Sequence, residues 1–526
     1  MAKAAKLFGL SAITLLVACG QPQTPASPVA TSADGITVSE PTSNGQVIFI
    51  QRGDPVTLDP HGSNDTISIE AQAQMFEGLT TFDADGNAIP LLAESFNTVN
   101  PYTWAFTLRQ GITFHDGEAF NTAAVVTSFE RILDLEFASP RRFILASIED
   151  VIPVDDYTLH IVTSFPFAPL PFHLAHAAGY IISPAAIARE QAGGYTINEH
   201  PIGTGPFVFE SREHGNELRM TANQAHWHSV PAFNELIFRV IPEGATRLAM
   251  MEGGDAHAFI AMAGDVPVIE NIPGLEMFNV ASSRQEYLGF NTQVPPFNDP
   301  LVRRAIGAVI NREDIIYGIA EGQGVIGVGP MSPVVTLAPN PADLTPIPHD
   351  LDYARSLLAQ AGFPDGFDTT IYVGEGNSLN IQTAELVQAK LAQVGINASI
   401  DMRAWAAFLQ LTGDGDHTGM FLLGWTTLTG EADYAVFSVF HSESGGHSGN
   451  RTHFRDPAIN ALLEEARQST DQNRRAQLYT KISQLLIDEA PMIFLFYPTF
   501  PIVTRGIDGL FVDFNGISFF RDVTLR

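Results

Sequence analysis

Cys19 is the only cysteine among the 526 residues of the chain, so no internal disulfide bond can stabilise the fold. The stability of the fold must therefore come from hydrophobic cores, and hydrophobic residues make up 45% of the chain. An apolar run from Leu7 to Val17 lies just before the cysteine, and Lys3 and Lys6 precede it. This run is shorter than the roughly 20 apolar residues that a membrane-spanning helix needs. Residues 1–18 are therefore predicted to be an export signal.

The end of the run reads Leu16-Val17-Ala18-Cys19 and resembles the lipobox of bacterial lipoproteins, in which the cysteine is acylated after cleavage. A lone cysteine in an exported chain otherwise has no explanation. We therefore expect a lipid on Cys19, with the chain anchored to a membrane outside the cytoplasm. The alternative is a conventional signal peptide with a chance cysteine at its boundary. Residues 19–45 are rich in Ser, Thr, Pro and Ala, which predicts a flexible tether.

The rest of the chain, about 480 residues, exceeds what one compact core accommodates and predicts two or three lobes. Val47 to Ile50 is a short apolar run typical of a strand, whereas Asp456-Pro457 predicts the start of an amphipathic helix. This mixture of strands and helices along the chain favours an α/β protein. The formal net charge of −30 argues against nucleic acid as a partner.

Several runs with recognisable sequences are spaced along most of the chain: Thr57-Leu58-Asp59-Pro60, Pro90 to Ser95, Leu108 to Gly117, Pro201 to Phe207, Phe290-Asn291 followed by Pro296 to Asp299, Val302 to Ile306 and Ala354 to Phe363. In this joint order they are similar to the peptide/nickel group, family 5, of extracellular solute-binding proteins, which serve ATP-driven (ABC) importers. The resemblance implies a monomeric protein that is not an enzyme, needs no cofactor and delivers its ligand to a membrane permease.

The resemblance also implies the α/β, two-lobed periplasmic-binding-protein fold of the large peptide-binding type, with the ligand cleft between the lobes. Lobe I is expected to comprise residues 46–286 plus 499–526, and lobe II residues 287–498. The chain is expected to cross between the lobes near Tyr287 to Asn291 and near Phe494 to Pro498.

Within the family, the glutathione-binding branch is the most similar. The similarity lies in Asn64-Asp65-Thr66, which follows Asp59-Pro60, and in Gly424-Trp425 followed by Thr429 to Tyr434. It implies capture of glutathione or a related short peptide. Dipeptide binders of the family carry a cation in the loop that here reads Gly374 to Asn380, and this loop has no Arg or Lys. The alternative ligands are a longer oligopeptide, a nickel chelate and an oligosaccharide.

A peptide-like zwitterion needs an acid for its ammonium group and a cation for its carboxylate, because either charge is costly to desolvate alone. Glu431 and Asp433 are the candidates for the ammonium group, although one of them, Asp433 in particular, could instead cap the following helix. Arg284 and Arg403 are the candidates for the carboxylate, since a guanidinium binds a carboxylate in a bidentate manner.

Six further residues are predicted to line the ligand site. Trp425 and Trp405 would supply apolar walls, and Trp425 lies in a run that matches the family. Tyr287 would do the same or would pack at the hinge. Asn64, Asp65 and Thr66 would supply hydrogen bonds to the ligand, or would cap the helix that follows them.

No metal or catalytic site is expected. His441 and His447 are six residues apart with no Cys or carboxylate at ligand spacing. The sequence contains neither a Gly-x-Ser-x-Gly nor a His-Glu-x-x-His motif. A lipoprotein hydrolase is the alternative from a different functional class, because catalytic triads are dispersed in sequence.

Overall fold

The computed structural model describes residues 45–526. The predicted signal peptide, Cys19 and nearly all of the predicted tether lie outside the described residues. Within residues 45–526, none of the helices has both the length and the hydropathy that a membrane span requires.

The strands of this part of the chain are, in chain order, β1 (Gln46–Gln51), β2 (Thr80–Phe82), β3 (Ala88–Pro90), β4 (Ala93–Asn100), β5 (Thr103–Leu108), β6 (Ile148–Asp155), β7 (Thr158–Thr163), β8 (Phe207–Glu213), β9 (Glu217–Ala222), β10 (Glu235–Val240), β11 (Ala258–Ile260), β12 (Glu276–Ala281), β13 (Arg284–Phe290), β14 (Gly324–Ile326), β15 (Asp368–Gly374), β16 (Asn397–Arg403), β17 (Met420–Thr426), β18 (Met492–Thr504), β19 (Ile507–Asp508), β20 (Phe511–Val512), β21 (Ser518–Phe519) and β22 (Thr524–Leu525). The strand predicted from Val47 to Ile50 is confirmed as β1.

The α-helices are α1 (Thr66–Met75), α2 (Thr122–Leu133), α3 (Leu170–Ala175), α4 (Pro184–Ala192), α5 (Gly244–Gly253), α6 (Val266–Ile269), α7 (Pro300–Val309), α8 (Arg312–Gly318), α9 (Leu351–Gln360), α10 (Ser378–Leu391), α11 (Trp405–Asp414), α12 (Ala432–Phe440), α13 (Pro457–Gln468) and α14 (Gln472–Glu489). The helix start predicted at Asp456-Pro457 is confirmed, because the Asp456 carboxylate accepts the backbone N–H groups of Ala458 and Ile459 at the start of α13.

One large sheet runs through the described residues in the order β16-β15-β17-β13-β18-β11-β1-β10-β9-β8, and β12 and β14 also pair with β18. The long strand β18 joins two halves of this sheet. Its first part pairs with β13 and β14, and its second part pairs with β12 and β11. We use lobe II for the half that contains β13 and lobe I for the half that contains β11. A separate four-stranded sheet, β4-β5-β7-β6, belongs to lobe I.

Strand pairing changes from one half of the sheet to the other at two places. The first, which we call the first crossing between the lobes, lies at Ser282–Ser283. Before it, β12 pairs with the lobe I part of β18, and after it, β13 pairs with β17 along its length. The second lies within β18 at Pro498–Thr499. These pairings describe the sheet alone, and the boundaries of the two lobes given from the sequence remain a prediction.

Each lobe has hydrophobic cores of its own. One cluster extends from Tyr287 to Phe496 and fills lobe II. In lobe I, successive residues of β1 face opposite sides of the sheet, as the pleat requires. Val47 and Phe49 therefore pack into one cluster, and Ile48 and Ile50 into another on the other face. A further cluster lies beneath the four-stranded sheet and includes Tyr434 of α12, so the two lobes also pack against each other there.

Candidate ligand-binding cleft

A cavity of about 690 Å³, the central cavity, lies between the two lobes. Lobe I lines it with side chains that include Thr66 and Asp513, and lobe II lines it with the loop from Glu375 to Leu379 and with Trp405. The cavity is also lined by Arg284 and Glu286, which lie at the start of β13, next to the change of strand pairing at Ser282–Ser283. Its volume falls in the range of about 300–1,000 Å³ that is usual for small-molecule sites, which occur preferentially between domains.

Arg284 is held in place by a carboxylate on its own strand. Residues two apart on a strand share a face, and Arg284 Nε donates to Glu286 Oε1 over 2.5 Å. Its guanidinium lies across β17, where a Cβ on Gly424 would collide with Arg284 Nη2. Burial lowers the pKa of Arg284, but Glu286 raises it by more, so the group stays charged. A third of the side chain remains exposed, which leaves donors available to a ligand carboxylate.

Asp513 lies in the turn between β20 and β21 and lines the same cavity. Its Oδ1 accepts the backbone N–H groups of Asn515 over 2.8 Å and of Ile517 over 2.9 Å. The Asn515 side chain accepts from Ser283 Oγ and donates to the carbonyl oxygen of Leu428. The turn is therefore tied to the first crossing between the lobes. Burial raises the pKa of Asp513 to about 7, against the effect of the backbone N–H groups.

The remaining lining combines exposed charges with apolar walls. Arg52 on lobe I and Glu375 on lobe II are exposed. Trp405 and Phe500 contribute rings from lobe II and from β18. A site of this kind can hold the charged ends of a small zwitterion and pack against its carbon skeleton.

Of the ten residues predicted as ligand contacts, Thr66, Arg284 and Trp405 line the central cavity. Asn64 is exposed on the preceding loop. Asp65 serves as the N-cap of α1, because its Oδ1 accepts the backbone N–H of Ser68 over 2.8 Å. The capping interpretation offered for this loop therefore describes Asp65.

The two acids predicted for the ligand ammonium group each form an ion pair with an arginine, and neither lines the central cavity. Glu431 is fully buried, lies 2.7 Å from Arg475, and accepts the Asp433 backbone N–H as the N-cap of α12. Asp433 binds Arg467 through both carboxylate oxygens. The capping role was considered for Asp433, but the residue that caps α12 is Glu431.

Three other predicted contacts also lie outside the lining of the central cavity. Tyr287 is buried in the core of lobe II. Trp425 stacks on Tyr434, with ring centroids 5.6 Å apart. Arg403 pairs with Asp401 over 2.8 Å and lies over the ring of Tyr372.

The sequence did not point to Arg52, Glu286, Glu375 or Asp513 as lining residues. They come from four segments far apart in the chain, so no local motif joins them. A signal was present at Asp513, which interrupts an apolar C-terminal stretch with a turn sequence, Asp513-Phe514-Asn515-Gly516.

Within residues 45–526, no three His, Cys, Asp or Glu side chains are arranged so that they could hold a metal ion. His441 instead pairs with Glu464 over 3.2 Å, and His447 pairs with Asp414 over 2.8 Å.

A family model described as "Bacterial extracellular solute-binding proteins, family 5 Middle" matches residues 87–447. The "Glutathione-binding protein GsiB" of Pectobacterium atrosepticum is 30% identical over 480 residues, which cover 89% of this chain and 91% of that protein.

Two solved structures share the fold. HbpA2 from Haemophilus parasuis superposes with a TM-score of 0.84 at 27% identity, covering 92% of this chain and all of that one. The periplasmic binding protein DppA from Helicobacter pylori, in complex with the peptide STSA, superposes with a TM-score of 0.77 at 28% identity, covering 91% of this chain and 98% of that one. The two-lobed α/β fold, the cleft between its lobes and the family match agree, and the chain belongs to the bacterial extracellular solute-binding proteins of family 5.

Proposed function

We propose that this protein captures glutathione or a related short peptide in the central cavity and delivers it to the permease of an ABC importer. The observation that carries the proposal is a cleft between lobes in which a fixed guanidinium, Arg284, faces the cavity. The relative from Pectobacterium atrosepticum is named for glutathione binding, and the structure from Helicobacter pylori holds a tetrapeptide, STSA.

The charges of the cleft suit glutathione. The tripeptide carries two carboxylates and one ammonium group, and the central cavity contains two arginines, Arg284 and Arg52. Arg284 is positioned by Glu286, whereas Arg52 is exposed on lobe I and is free to reorient towards a ligand. Closure of the lobes would remove both ion pairs from water, which strengthens them.

A longer peptide is the second candidate ligand because two further cavities adjoin the central one. One, of about 540 Å³, shares Thr66 and Leu379 with it, and the other, of about 530 Å³, shares Phe82 and Tyr180. Together they would hold residues on either side of a central peptide segment.

Isothermal titration of the purified protein with reduced glutathione, oxidised glutathione and a mixed tripeptide pool tests the proposal. Saturable binding of reduced glutathione is the expected result. Binding of the tripeptide pool alone would keep the importer role and move the ligand to other peptides. No binding of any of the three would contradict the proposal.

We also propose that the mature protein is a monomer anchored by a lipid on Cys19, which lies outside the described residues. A tether keeps the local concentration of the protein near the permease high. Cys19→Ser is expected to move the protein from the membrane fraction to the soluble fraction. Membrane association that persists in this variant would contradict the anchor.

A further inference from the structure

Three acids line the central cavity, and they differ in what they are free to bind. Glu286 is paired with Arg284 through Oε1, and its Oε2 is buried with no hydrogen-bond partner among the described residues. Glu375 is exposed, so water screens its charge. Asp513 is only 6% exposed, and within residues 45–526 no Arg, Lys or His lies within ion-pair distance of its carboxylate.

A buried carboxylate without a cation is costly unless something compensates for it. At Asp513 the compensation comes from backbone N–H groups alone, and no described side chain donates to it. These N–H groups and the bond from Ser283 to Asn515 fix the orientation of the turn. The acid is therefore positioned before any ligand arrives, which reduces the entropy cost of binding.

We propose that Asp513 binds the ammonium group of the ligand, so that the site selects peptides with a free amino group. This inference rests on the proposed function and adds the polarity of the bound peptide. The amino end lies at Asp513, and a carboxylate end lies at Arg284. The acids predicted for this role, Glu431 and Asp433, are neutralised by Arg475 and Arg467.

The proposal predicts that binding is linked to pH. Burial raises the pKa of Asp513 to about 7, and a bound ammonium group would favour the charged carboxylate and release a proton. Below this pKa the carboxyl must first lose its proton, so affinity should fall as the pH decreases. The ionisable groups that share the lining of the cavity are Arg52, His176, Tyr180, Arg284, Glu286 and Glu375.

Titration of reduced glutathione into wild type and Asp513→Asn tests the proposal. The variant should bind about 10- to 100-fold more weakly, the range expected for a lost charge-assisted contact. N-acetylated glutathione, which has no ammonium group, should bind wild type and variant equally. Equal affinity of the two proteins for glutathione, or an equal loss for both ligands, would overturn the inference.

Asp456→Asn is the matched control, because Asp456 also accepts two backbone N–H groups but lies at the start of α13, outside the lining of the central cavity. It should bind glutathione as wild type does. Thermal unfolding of both variants shows whether the turn of Asp513 survives the substitution.

A second measurement needs no variant. Calorimetry of wild type near pH 7, in two buffers of different ionisation enthalpy, should report proton release with glutathione and none with the acetylated ligand. Absence of proton release with glutathione would overturn the inference. If wild type binds neither glutathione nor the tripeptide pool, the proposed function fails and the inference fails with it, whereas binding without a role for Asp513 overturns the inference alone.

Discussion

At the scale of single residues, charged side chains of similar appearance have different roles according to their surroundings. Arg284 and Arg219 each lie on a strand and donate through Nε to a glutamate two residues away, over 2.5 and 2.6 Å. Their side chains are 32% and 35% exposed. Only Arg284 lines the central cavity. The two arginines therefore form a natural pair for testing the site.

Arg284→Ala should weaken glutathione binding about 10- to 100-fold, because a bidentate contact with a ligand carboxylate is lost. Arg219→Ala removes the same kind of strand ion pair outside the cleft and should leave affinity unchanged. Isothermal titration of both variants measures the difference. Equal affinities would remove Arg284 from the ligand site.

Glu70 in α1 is buried, and its Oε1 has no hydrogen-bond partner among the described residues. Burial raises its pKa to about 7, against the effect of the hydrogen bond from Gln51. The folded state therefore binds more protons than the unfolded state between the ordinary glutamate pKa and about 7. The free energy of unfolding should fall as the pH rises through this window. Asp513 contributes a slope of the same sign.

Glu70→Gln should remove its part of this slope. At a pH above 7 the variant should be more stable than wild type by up to about 3 kcal/mol, whereas in mild acid the two should be similar. Urea unfolding across the pH range measures both, with the exposed Glu94→Gln as the control. A variant that is no more stable at high pH than wild type would show that Glu70 is not desolvated as described.

At the scale of elements, the start of α12 depends on partners from two other helices. Glu431 and Asp433 bind Arg475 of α14 and Arg467 of α13. The sequence motif around Gly424-Trp425 located this segment, but it could not reveal that its acids are neutralised, because the arginines are more than thirty residues further along the chain.

Glu431→Gln should destabilise the fold by about 3–5 kcal/mol, since it leaves the Arg475 charge buried without a carboxylate. The control is Glu465, which forms an exposed ion pair with Arg474, the neighbour of Arg475. Glu465→Gln should cost less than about 1 kcal/mol. Denaturant unfolding of the two variants compares them, and equal losses would contradict the structural role of Glu431.

At the scale of the whole molecule, the sequence predicted the class of fold from motifs spread along the chain. The local elements it indicated, such as β1 and the start of α13, are confirmed because short-range capping and alternation determine them. The ligand cleft was predicted only in part. Arg284 was found because it lies beside the crossing between lobes, whereas Asp513 and Arg52 reach the cavity only through tertiary folding.

The cleft between the two lobes also determines how the protein would work. A ligand held by Arg284 at the crossing and by Asp513 in the turn tied to it would touch both lobes at once. Such a ligand binds the closed form more tightly than the open form, and so shifts the population towards closure. The closed form is then the species that a permease would recognise.

A crystal structure of the protein with reduced glutathione tests this account most directly. We predict one glutathione molecule in the central cavity, with a carboxylate at Arg284, the ammonium group at Asp513 and side chains of both lobes in contact. Glutathione bound elsewhere on the protein, or bound in the cavity without either contact, would contradict it.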